Sequence, residues 1–371
     1  MIYEKVEHMK VAIRVDSAVM LGSGHVMRCL TLAERLRKSG ADVVFICRDY
    51  PGHMMQLIKD KGFMIHVLPM NYYSMPDSVE DFIVNLKNNW NEDLASTQEI
   101  LRQYGRLDWV VVDHYALDEK WEKGIRENAK KICVIDDLAN RRHDCDILLD
   151  QNFHTDMGQR YNGLLPAHCK ELLGPKYLLL REEFFEAQFQ RPSRDGYVQN
   201  VLVFFGGSDP TNETQKTVCA IKQLDRPDIH FDVVVGNGYL YKKETQELCE
   251  TLSNVEFYCQ VNYMAKLMLK SDLAIGAGGS ATWERCFLGL PALIIVLADN
   301  QRQGIEELSP YGAFINLGWH DDIDSQKLCE HLKSAISRPD LLKEMSLKAK
   351  KLVGIADAEY KDGIIVEFWR K

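Results

Sequence analysis

Short runs of apolar residues recur along the chain, separated by longer stretches whose apolar residues return every three or four positions. Val11–Val15 is apolar and rich in β-branched residues, and it predicts a buried strand. A glycine loop, LGSGH, follows. Next comes VMRCLTLAERLRKSG, where Leu30, Leu32, Ala33 and Leu36 fall at helical spacing and Gly40 supplies a stop. VVFICR reads as the next buried strand. Strand, helix and strand in this order form a βαβ unit, with a right-handed crossover and parallel strands. WVVVDHY, KICVIDD and DILLDQN add three more strands of the same kind. Residues 71–103 read as a helix or two with an insertion. Continuous apolar strands alternating with helices predict a sheet covered on both faces.

The polar stretch FEAQFQRPSRDGYVQN, with its proline and glycine, reads as a linker. A second series opens with VLVFFGGSDPTN and continues through HFDVVVG, VEFYC, LAIGAGG and ALIIVL. The expectation is α/β with two doubly wound, Rossmann-like domains facing across a cleft, residues 9–190 and 191–371. In such sheets ligands bind beyond the carboxyl ends of the strands.

Those ends carry the candidate chemistry. Gly22 and Gly24 let the backbone turn sharply and approach a ligand. His25 follows in the first turn of a helix, whose positive end favours the neutral imidazole a general base requires. The alternative is a capping or packing histidine. In the second half, a buried strand runs into Gly276, Gly278 and Gly279. Ser280 is placed to cap a helix carrying Glu284, and the amides there suit a diphosphate. Glu284 can accept ribose hydroxyls or belong to a solvated capping turn. Asn300 and Gln301 are amides on the next rim, able to hold a hydroxyl or an acetamido group. Gly206, Gly207 and Ser208 offer further amides to phosphate, while Asp209 and Thr211 fit either that site or an ordinary turn and cap. Tyr115, at the end of a strand, is a candidate for lining a sugar pocket; His114 beside it fits a structural role equally well. Asp136, Asp137, His143, Asp144 and Asp146 lack the ligand spacing of a zinc or calcium site and read as a polar loop.

Charge narrows the partner. Acidic residues outnumber basic ones, 54 to 45, for a net charge of −9. That balance argues against nucleic-acid binding but leaves room for a small anion held by local backbone dipoles. The ten cysteines are scattered, as expected for reduced thiols in a cytoplasmic protein. No segment approaches the ~20 apolar residues of a membrane span. No signature of a nucleophilic serine or cysteine is present.

Three stretches, RVDSAVMLGSGHVMRCLTLAERL, FFGGSDPTN and IGAGGSATWERCFLGLPALIIVLADNQ, resemble the UDP-sugar hydrolases of pseudaminic acid biosynthesis. That family removes UDP from UDP-2,4-diacetamido-2,4,6-trideoxy-β-L-altropyranose and is similar in fold to GT-B glycosyltransferases, especially the MurG-like ones. The resemblance implies that His25 is catalytic and that Gly278, Gly279 and Ser280 hold the diphosphate. It further implies that Glu284 binds ribose, that Asn300 contacts the substrate, and that attack at the anomeric carbon proceeds with inversion. UDP is a good leaving group, so the paired carboxylates of ordinary glycosidases are not needed. One histidine to aim water and amides to receive the departing charge suffice, with neither metal nor cofactor.

Overall fold

A computed structural model describes residues 8–18, 21–22, 24–69, 79–190, 193–354 and 359–370. The described chain packs as two units. The first takes the chain up to Asn152, then Asp156–Leu179, and at the far end the helix Glu359–Trp369; the second takes Phe153–Thr155 and the chain from Leu180 onward.

The first unit is built on seven parallel strands: β1 (Lys10–Val15), β2 (Asp42–Arg48), β3 (Met64–Leu68), β4 (Leu107–Asp113), β5 (Ala129–Ile135), β6 (Ile147–Asp150) and β7 (Lys170–Leu173). Their order is β3-β2-β1-β4-β5-β6-β7. The pleat divides each strand between two cores. Val11, Ile13 and Val15 face one core with Phe45, Val111 and Ile364. Ala12 joins the other with Ile46, Val110, Ile132 and Leu101. The second core is covered by the helix Trp90–Arg102, and the helix Val79–Asn88 precedes it. The start of the stretch 71–103, residues 71–78, lies outside the described residues. The helix Glu359–Trp369 packs on the first core, where Phe368 accepts a hydrogen bond from Trp109 Nε1 (3.0 Å).

The second unit holds six parallel strands: β8 (Asn200–Phe204), β9 (His230–Val235), β10 (Val255–Cys259), β11 (Leu273–Ala277), β12 (Ala292–Val296) and β13 (Ile315–Trp319). Their order is β10-β9-β8-β11-β12-β13. Both sheets thus reverse direction once, between β1 and β4 and between β8 and β11. The reversal leaves a crevice at the carboxyl edge of each sheet. The strands β3, β7 and β13 were not anticipated from sequence.

No helix among the described residues is long and apolar enough to cross a membrane.

Candidate functional site

In the first unit, register puts Val15 of β1 beside Asp113 of β4. The loop after β1 and the residues after β4 therefore emerge side by side. Gly22 has φ +72°, in the left-handed region that favours glycine, and its N–H bonds back to the Ala18 carbonyl (3.0 Å). Among the described residues, side chains added at Gly22 or Gly24 would meet nothing within 4 Å. The helix Gly24–Lys38 then begins, and His25 is its second residue.

His25 is 8 % exposed. Its Nδ1 lies 2.6 Å from Asp113 Oδ1. Arg28, one turn on, grips the same carboxylate with Nε (2.6 Å) and Nη2 (2.7 Å), and reaches Asp137 with Nη1 (2.9 Å). Cys29 Sγ donates to it as well (3.4 Å). Burial works against the charge on Asp113, but Arg28 and then His25 outweigh it and hold the carboxyl well below its usual range. An ionised Asp113 accepts, so Nδ1 carries a proton, which leaves Nε2 as the nitrogen that can exchange one. Among the described residues Nε2 has no hydrogen-bond partner. The ring of Tyr115 stands edge-on to the imidazole, 4.5 Å away at 84°. Sequence reasoning read WVVVDHY as a strand but missed the partnership of its Asp113 with His25, and missed Arg28 entirely. The signal that would have found both is the strand order, which makes the ends of β1 and β4 neighbours.

His114 has a different role. It faces Asp16 Oδ2 through Nε2 (3.1 Å), and its Nδ1 accepts from Ala116 N (3.1 Å). Asp16 also takes Arg14 (2.5 and 2.7 Å), and Arg14 and Arg48 share Asp93 on the helix Trp90–Arg102 (2.7 and 2.6 Å). This buried lattice ties the 90–102 helix to the sheet.

The 136–146 loop is spent on similar ties. Asp136 pairs with Arg141 (2.7 Å), Asp137 with Arg28, His143 with Glu122 (2.7 Å), and Asp144 and Asp146 with Arg126 (2.7 and 2.8 Å). Among the described residues the one group with metal-ligand proximity is His230, Asp232 and Glu256. Lys270 already lies 3.1 Å from that aspartate.

In the second unit, the end of β11 and the loop beyond it are tightly packed: a side chain at Gly276 would strike the carbonyl of Phe204 on the neighbouring β8, and one at Gly278 would come within 2.6 Å of Ile305. The helix begins at Ala281. Ser280 does not cap it. It is already helical (φ −55°, ψ −30°), and its side chain makes no cap hydrogen bond; the carbonyls of Gly279 and Ser280 accept from Thr282 and Trp283 instead. The N–H groups of Gly279 and Ser280 have no backbone acceptor among the described residues. Gln301 sits against this loop, Nε2 being 3.7 Å from the Cβ position of Gly279, while its Oε1 accepts from Leu297 N (3.1 Å). Asn300 is exposed at the start of the same helix, Asp299–Leu308. Glu284 accepts from Arg181 Nε (3.3 Å) and Nη2 (3.1 Å) through Oε1. Beyond β8, Gly207 lies against Gly236 and Gly238, with Ser208 beside it. Asp209 is a cap: its carboxylate accepts from Glu213 N (3.0 Å), Thr214 N (2.8 Å) and Thr214 Oγ1 (2.6 Å).

Residues 201–359 match the model of the glycosyltransferase family 28 C-terminal domain. An uncharacterised protein of Methanocaldococcus jannaschii is 29 % identical over 301 residues, which span 80 % of this chain but 57 % of that protein. The UDP-2,4-diacetamido-2,4,6-trideoxy-β-L-altropyranose hydrolase of Campylobacter jejuni is 26 % identical over 307 residues, covering 82 % of this chain and 97 % of the hydrolase. Among solved structures, MurG of Acinetobacter baumannii superposes with a TM-score of 0.60 at 16 % identity, covering 97 % and 99 % of the two chains. The fold is of the GT-B type, and the chain is a distant relative of the hydrolase.

Proposed function

We propose that the protein hydrolyses a UDP-sugar at its anomeric carbon, with UDP-2,4-diacetamido-2,4,6-trideoxy-β-L-altropyranose as substrate and His25 as general base. The observation that carries this reading is the imidazole held at Nδ1 by an ionised Asp113, with Nε2 left to take a proton (2.6 Å). Water attacks the anomeric carbon, Nε2 removes its proton, and the bond from that carbon to the diphosphate oxygen breaks to release UDP. Such a base is worth ~10² to 10⁴-fold in rate. The amides of Gly278, Gly279 and Ser280 receive the charge on the departing diphosphate, Glu284 takes the ribose hydroxyls, and Asn300 and Gln301 meet the sugar. Gly22 and Gly24 leave room beside the base, Tyr115 borders the sugar, and Gly207 and Ser208 add amides near the phosphates. The C. jejuni relative supports the choice of sugar.

A transferase acting on the same donor is the second reading, favoured by the family 28 match over 201–359. Turnover in ¹⁸O-labelled water separates the two. Hydrolysis as proposed releases UDP without an acceptor and places the label in the sugar. Label in the phosphate, or UDP release only after an acceptor alcohol is added, rejects it.

A further inference from the structure

Arg285 is 1 % exposed and lies in the helix Ala281–Leu288. Its Nη2 donates to the Ala277 carbonyl (2.6 Å) and the Thr282 hydroxyl (3.1 Å). Nη1 lies against Gly276, 2.7 Å from where a Cβ would stand. Nε is buried without a partner. Among the described residues no carboxylate hydrogen-bonds the guanidinium; the adjacent Glu284 attracts it from a distance but pairs with Arg181 (3.1 Å).

Arg194, another buried arginine of this unit, shows how such a cation is normally compensated. It donates to the carbonyls of Met268, Ser271 and Gly289. Those groups close the helices Met264–Lys270 and Ala281–Leu288, so the guanidinium meets two negative helix ends. Arg285 has the reverse setting. Its guanidinium reaches back toward the positive start of its helix, to Ala277 and Thr282, with one carbonyl and one hydroxyl for company. Burial pulls its pKa down to about 10, as it does that of Arg194, and both stay charged at neutral pH, so the contrast between them lies in their partners. A buried cation without an anion is strongly unfavourable. The loop it supports is the one whose Gly279 and Ser280 N–H groups lack backbone acceptors.

We infer that Arg285 is a positioning residue: it sets a fixed positive charge beneath the loop Ala277–Ser280, and its counter-ion is the diphosphate of the bound nucleotide. The guanidinium does not touch the phosphates. It holds the loop through the Ala277 carbonyl and adds a long-range attraction in a site of low dielectric. The inference rests on the reading that this unit binds a nucleoside diphosphate, and it makes the site select by phosphate charge.

The test is titration calorimetry of the full chain with UDP, UMP and uridine, in the wild type and in Arg285→Gln and Arg285→Lys. Arg285→Gln should weaken UDP by about 10- to 100-fold, UMP by less, and uridine by no more than about threefold. Arg285→Lys, which keeps the charge but loses the fork, should retain most of the preference for UDP over uridine. Equal losses for UDP and uridine in Arg285→Gln would mean a merely structural role and overturn the inference. If Arg285→Gln does not fold, Arg285→Lys decides: retained preference supports the charge role and lost preference rejects it. A wild-type protein that binds neither UDP nor uridine removes the nucleotide reading itself, a result distinct from any change of preference between variants.

Discussion

Asp113 carries three partners at once, His25, Arg28 and Cys29. Two effects follow when it is replaced. Asp113→Asn can turn its amide toward Nδ1 and move the imidazole proton to Nε2, so kcat should fall on the order of 10² to 10⁴-fold. Arg28 would also lose its bidentate anion, so the melting temperature should drop as well. His25→Asn separates the two effects: turnover should fall by ~10² to 10⁴-fold while calorimetric UDP affinity stays nearly constant. Loss of affinity in step with turnover would make His25 a binding residue. Asp150 offers a pH test. Burial, then Asp137, raises its pKa to about 7, although Asn152 N–H and Arg160 oppose the rise. The folded state therefore holds a proton that the unfolded state releases between about pH 4 and 7. The stability contributed by that proton is fully present below the unfolded pKa and is lost as pH rises through about 7. Asp150→Asn cannot titrate, so relative to wild type it should gain on the order of 4 kcal/mol between pH 4 and 8 in urea unfolding. A constant difference across that range would show that Asp150 is ionised throughout.

The elements legible in the sequence and those that were not differ in how they meet the core. The central strands β1, β4, β5, β8, β11 and β12 are buried on both faces and read as continuous apolar runs. The three unanticipated strands, β3, β7 and β13, all lie at sheet edges. Each is only partly buried; KELL and INLGW carry no apolar run, and MIHVL is broken by His66. The helix Trp90–Arg102 was obscure for another reason. Its buried face is Asp93, Thr97 and Leu101, two of them polar, because it packs over Arg14 and Arg48 rather than over aliphatic side chains. Asp93→Ala removes the carboxylate that Arg14 and Arg48 share, leaving Arg48 without its anion and Arg14 with Asp16 alone, and should cost about 3–5 kcal/mol in urea unfolding. A loss below about 1 kcal/mol would show that the helix is held by its apolar contacts alone. At the candidate site, the glycine loops and His25 were visible as local motifs. The Asp113–Arg28 clamp was not, since it joins residues 85 apart in sequence that only the strand order makes neighbours.

At the scale of the whole molecule, each unit repeats one arrangement, with a strand-order reversal whose carboxyl edge bears a glycine loop and a helix start. The proposed reaction loads the nucleotide's charge onto backbone amides, so turnover should survive exhaustive treatment with EDTA within about twofold. A loss restored by added divalent cation would transfer that task to a metal.

The helix Glu359–Trp369 belongs to the first unit although the whole second unit precedes it in the chain. On the ribosome this order imposes a delay. The strands of the first sheet are complete by Leu173, but the indole of Trp109 waits for the carbonyl of Phe368. At ordinary rates of synthesis that wait lasts roughly 10–40 seconds. For that interval the apolar side chains that Ile364, Ile365 and Phe368 will cover have no partner from the end of the chain.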